Sequence, residues 1–172
     1  MFIRIFFILT VSALIFGCTP QTDSEPQANE PANPSPAGGN NAGHAEVEWG
    51  TKLEEAVAKA KTSGKHVYVD FTGSDWCPPC MALHNKILVK PEFLAFAKEN
   101  LELVMLDFPR SKAMPENQKA YNQGLAEKYK IEGFPTIVIF DGEGQEVYRD
   151  VGFPDADTPT AYVASLKKAL SR

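Results

Sequence analysis

A chain of 172 residues, 44% hydrophobic and 23% charged, has room for one ordinary globular domain and some extra length. A formal net charge of −5 without a basic stripe argues against nucleic acid as a partner, because nothing is available to neutralise phosphates. The three cysteines are an odd number, so one of them needs its own explanation.

Residues 1–17 read as an export signal. Arg4 supplies a positive charge, and Ile5 to Phe16 are apolar apart from Thr10 and Ser12. Such a core suits a signal peptide and falls short of the roughly 20 residues a membrane span needs. It ends in Gly17-Cys18, which resembles the lipobox of bacterial lipoproteins. The resemblance implies cleavage before Cys18, acylation of Cys18, and an extracytoplasmic, periplasmic protein lipid-anchored to a membrane. Thr19 directly after Cys18 is compatible with the outer membrane. An uncleaved anchor or an ordinary cleaved signal is the alternative. Residues 18–45 are then the lipidated cysteine and a flexible linker. Thr19 to Ala45 hold five prolines, three glycines and four asparagines, and no Val, Ile, Leu, Met or aromatic residue. This stretch has too little apolar surface to offset the entropy of ordering it. His44 within it reads as solvated.

The folded domain is expected over residues 46–172. Trp49, Leu53, Ala56, Val57 and Ala60 recur at helical spacing, which predicts a helix from Thr51 to Thr62, with Thr51 and Glu54 as a capping box. Ser63-Gly64-Lys65 ends it. Lys65 to Phe71 reads as a buried strand. A helix over Met81–Leu88 and a second from Pro91 to Lys98 follow. Leu101 to Phe108 reads as a strand, Pro109 to Pro115 as a loop and Glu116 to Tyr129 as a helix. Pro135 to Asp141 and Gln145 to Val151 form a hairpin around the turn Asp141-Gly142-Glu143-Gly144. A last helix, Thr158 to Ser171, places Tyr162, Leu166 and Leu170 on one face.

Between the first long strand and its following helix lies Trp76-Cys77-Pro78-Pro79-Cys80. Two cysteines with this spacing at a strand-to-helix step can close and reopen a disulfide. Cys77 falls at the helix start, where unpaired N–H groups and the helix dipole favour a negative sulfur and lower a thiol's pKa from its free value of about 8.5. Cys80, one turn on, is expected to be less exposed and placed to attack a mixed disulfide on Cys77. Proline is tolerated in a first turn, where its missing N–H has no helical partner. A permanently closed disulfide and a zinc pair are the alternatives. A structural zinc needs four ligands, and no second cysteine pair exists. His84, four residues after Cys80, admits a copper-binding reading, although an exposed helix histidine explains it as well.

The W-C-P-P-C stretch, the preceding Val69-Asp70-Phe71 and the later Gly133-Phe134-Pro135-Thr136 resemble the thioredoxin superfamily, over roughly Val47 to Arg172. The likeness extends to extracytoplasmic proteins similar to the C-terminal domain of membrane thiol–disulfide interchange proteins. It implies an α/β thioredoxin fold, a central mixed β-sheet flanked by helices. It implies a cis Pro135 beside the disulfide, with Phe134 and Thr136 meeting an extended substrate, and Trp76, Pro78 and Pro79 completing that surface. It also implies that Asp70 exchanges a proton with Cys80. However, Asp70 lies one residue further from the cysteines than in the usual pattern, and the neighbouring Leu103-Val104-Met105-Leu106 lacks the lysine often found there.

The expected function is a protein-disulfide oxidoreductase, acting through a mixed disulfide and favouring reduction. The disulfide is its own redox group, with no metal or other cofactor. Its expected partners are protein thiols and disulfides and a membrane electron donor; the domain itself is expected to be a monomer. A disulfide oxidase or isomerase, a thioredoxin-fold copper chaperone and a non-catalytic redox adaptor are the alternatives.

Overall fold

The computed structural model describes residues 47–156 and 158–171. The signal expected at 1–17, Cys18, and the linker with His44 lie outside the described residues. In chain order the elements are β1 (Trp49–Gly50), α1 (Leu53–Ser63), β2 (His66–Thr72), α2 (Pro78–Leu83), a π-helical turn (His84–Leu88), α3 (Pro91–Asn100), β3 (Leu101–Asp107), α4 (Glu116–Lys128), β4 (Thr136–Phe140), β5 (Glu146–Val151) and α5 (Pro159–Leu170).

The five strands form one sheet in the order β1-β3-β2-β4-β5. β3 runs parallel to β1 and β2, while β4 runs antiparallel to β2 and β5, so the sheet is mixed. β2 and β4 read as apolar runs because both faces of each are covered. Strand periodicity sends Tyr68 to one face, with Ile137 and Ile139, against Leu83, Phe93, Tyr162 and Leu166. Val67, Val69 and Phe71 go to the other, with Val138 and Phe140, against Leu53, Ala60 and Leu125. Asp70 shares the face of Tyr68, which is the face that α2 covers.

Three local expectations are corrected. The capping box at Thr51 does not form: the residue before α1 is Lys52, and no side chain of that residue caps the helix. Instead the Tyr121 hydroxyl, brought over by α4, accepts the Leu53 N–H at 2.7 Å and donates to Glu54 at 2.5 Å. That bond holds the Glu54 carboxyl below its usual range. Trp49, grouped by spacing with the helix that follows, lies instead in β1 and packs on the core, with its ring edge-on to Tyr68 at 6.1 Å. The helix expected to run through Leu88 widens after Leu83, where Val89 N–H reaches back five residues to His84 O. This turn buries the adjacent Ile87 and Leu88 together.

Candidate active site

β2 ends at Thr72, and a turn over Gly73–Trp76 carries the chain into α2, with Trp76 and Cys77 N–H groups both directed to Gly73 O. This turn absorbs the extra residue noted between Asp70 and the cysteines. Cys77 is the N-cap of α2 and is disulfide-bonded to Cys80, with the sulfurs 2.08 Å apart. Pro78 and Pro79 are the first two helical residues, so neither offers an N–H. The first backbone donor is Cys80 N–H, directed at Cys77 Sγ at 3.3 Å. The expectation that Cys80 is the more covered cysteine is not met: both are 3% exposed. Pro78 is exposed and Pro79 half-buried.

The peptide between Phe134 and Pro135 is cis, and Phe134 O lies 3.6 Å from Cys77 Sγ. Pro135 and Thr136 are buried; the Thr136 hydroxyl donates to Gly133 O at 2.8 Å. Gly133 and Phe134 are the half-exposed part of this loop. Thr136 opens β4, paired between Phe71 and Val151.

Trp76 stands between the two loops. Its ring is edge-on to Phe134 at 5.9 Å, and its Nε1 donates to Phe108 O at 2.7 Å. A Cβ on Gly73 would lie 2.6 Å from the indole, so only glycine lets the tryptophan lie down there. The loop after β3 is clamped by Asp75, whose carboxylate accepts the backbone N–H groups of Arg110, Ser111 and Lys112 at 3.0, 2.7 and 3.0 Å. These bonds, the Arg110 N–H above all, hold the Asp75 carboxyl below its usual range. The Arg110 guanidinium lies over the Trp76 ring at 3.6 Å.

Asp70 is 3% exposed, and its Oδ1 has no hydrogen-bond partner among the described residues. Burial pushes its carboxyl up to about 7, and the charge of Asp107 adds to the rise. Asp107 is tied to the turn before the cysteines, accepting Ser74 N–H at 2.8 Å and Ser74 Oγ–H at 2.6 Å. Asp75, Asp107 and Arg110 were not singled out from the sequence. The carboxylates show up only as Asp residues beside a turn and at a strand end, and their partners are more than 30 positions away.

A mixed sheet carrying a Cys-x-x-Cys disulfide at a helix start, faced by a cis-proline loop, defines a thioredoxin-type dithiol protein. Residues 53–167 match the thioredoxin-like domain family, and the chain belongs to it. It is 39% identical over 126 residues to the disulfide bond reductase DsbH of Chlamydia pneumoniae, covering 73% of this chain and 74% of that one. It is 34% identical over 134 residues to the thiol:disulfide interchange protein DsbD of Colwellia psychrerythraea, covering 75% of this chain but 21% of DsbD. A solved DsbH oxidoreductase superposes with a TM-score of 0.68 at 34% identity, over 81% of this chain and 95% of that one.

Proposed function

We propose that this thiol–disulfide oxidoreductase works in the reducing direction, outside the cytoplasm, tethered through an acylated Cys18. The observation that carries the direction is the donor set around Cys77. A thiolate there has one first-turn N–H, that of Cys80, because Pro78 and Pro79 remove the other two. A thiolate with few donors is a less stabilised reduced state, and a less stabilised reduced state makes a stronger reductant. The similarity to the disulfide bond reductase DsbH supports the same direction.

In this mechanism the reduced Cys77 thiolate attacks one sulfur of a substrate disulfide. The Cys77–substrate bond forms as the substrate S–S bond breaks, and the departing thiolate takes the electron pair and then a proton. Cys80 passes its own proton to the ionised Asp70, directly or through water, and attacks Cys77 Sγ. That step closes the Cys77–Cys80 disulfide and releases the second substrate thiol. Two electrons have moved, and the disulfide is the only redox group the cycle requires. Phe134, Gly133, Trp76 and the exposed Pro78 form the surface that receives the substrate chain. The domain acts as a monomer and is returned to the dithiol form by a membrane electron donor, a role suggested by the similarity to part of DsbD. Lipidation is supported by the Gly17-Cys18 ending of the apolar leader. The copper-chaperone alternative would add His84 to Cys77 and Cys80; His84 is exposed on the π-helical turn after α2.

The test is reduction of insulin disulfides with dithiothreitol as the electron source. Catalytic amounts of the domain are expected to accelerate precipitation of the insulin B chain well above the rate with dithiothreitol alone. A rate equal to that of dithiothreitol would remove the reductase reading.

A further inference from the structure

Beside the disulfide lies a charged group that the exchange chemistry does not use. Arg110 is exposed, its guanidinium lies flat over Trp76 at 3.6 Å, and Trp76 is the residue immediately before Cys77. The loop that carries it is pinned at three successive N–H groups by Asp75, so the stack sits on fixed backbone. The neighbouring charges are occupied. Asp75 accepts those N–H groups, Asp107 accepts twice from Ser74, Lys112 donates to Ser74 Oγ at 3.2 Å, and Glu116 lies 3.9 Å from Lys119. No carboxylate of the described residues lies within ion-pair distance of Arg110. Stacking on the indole leaves the in-plane N–H groups of the guanidinium free, and these are the groups that bind a carboxylate in a fork. The same loop walls a cleft of about 430 Å³ whose charged lining is Arg110, Lys112 and Lys119 with Asp107 and Glu116.

We propose that Arg110, held on Trp76, is a specificity-determining residue that selects acidic peptide, gripping a substrate carboxylate close to the cysteine that Cys77 attacks. The inference rests on the redox reading of Cys77. An exposed pair of this kind is modest in strength, so a preference of about fivefold at low salt is expected, shrinking as salt screens it.

The experiment uses two synthetic peptides that differ only in having Glu or Lys on both sides of one cysteine, each blocked as the mixed disulfide with 2-mercaptoethanol. Single-turnover rates with the reduced protein are divided by the same variant's rate with hydroxyethyl disulfide, so that any effect of a substitution on Cys77 or on the seating of Trp76 cancels. The native protein is expected to favour the Glu peptide about fivefold, Arg110→Gln to lose the preference, and Arg110→Glu to invert it. Equal normalised rates for the two peptides with the native protein, or a ratio that Arg110→Gln and Arg110→Glu leave as it was, would overturn the proposal. No reaction of the native protein even with hydroxyethyl disulfide would overturn the redox reading itself, and this inference with it.

Discussion

Cys77→Ser is expected to abolish disulfide exchange, by at least about 10³-fold, whereas Cys80→Ser keeps the first half of the reaction and stalls there. Exposure does not distinguish the two cysteines, since both are 3% exposed. Their positions do. Cys77 is the N-cap, with Phe134 O near its sulfur and the Cys80 N–H directed at it; Cys80 lies one turn into α2, beside the buried Leu83. In the proposed mechanism the incoming substrate meets the N-cap sulfur first. Incubated with a disulfide peptide, the Cys80→Ser protein should gain one peptide mass, visible by intact-mass spectrometry and removable with dithiothreitol. The Cys77→Ser protein should gain none. Trapping on Cys80 in the Cys77→Ser protein would reverse the assignment.

Asp70→Asn is expected to flatten the pH dependence of stability between about pH 4 and pH 8. The folded carboxyl sits near 7 against an ordinary value of 3.8, because it is buried with Oδ1 unpaired and Asp107 nearby. Between those values the folded protein holds a proton that the unfolded chain has released, so stability falls as pH rises through the window. A rise from 3.8 to about 7 corresponds to roughly 4 kcal/mol, fully felt above the folded value and absent below about pH 4. In urea unfolding, the native protein minus Asp70→Asn should therefore change by up to about 4 kcal/mol between pH 4 and pH 8, with the native protein losing stability. A constant offset from burying the amide would not alter that slope. The same substitution should slow resolution of the mixed disulfide by about tenfold or more, since it removes the proton acceptor proposed for Cys80. A parallel pH profile for the two proteins would show that Asp70 is ionised and paired in the fold.

These residues also show where reading the sequence succeeds and where it stops. β2 and β4 announce themselves as apolar runs because both faces of each are covered, and the cysteine pair falls at the strand-to-helix step that such a run and the helical spacing after it define. β1 is two residues long and carries no periodicity; only its pairing with Leu103 and Val104 makes it a strand. Thr51 and Glu54 satisfy the capping pattern, yet a tyrosine 68 positions from Leu53 takes the N–H instead, and local spacing cannot register such a competitor. The Asp75 clamp and the stack of Arg110 on Trp76 both arise when the loop after β3 folds back over the turn after β2. The carboxylate of Asp70 was legible as a charge inside a strand; that its Oδ1 has no partner among the described residues needed the tertiary structure.

The measurement that bears most directly on the central claim is the reduction potential of the Cys77–Cys80 pair, equilibrated against glutathione buffers in the domain with its native residues. Two prolines that leave the N-cap sulfur a single first-turn donor, the Cys80 N–H, lead to an expected value near thioredoxin's, roughly −270 mV. A potential near −120 mV, that of a strong disulfide donor, would contradict the account and make the protein an oxidant.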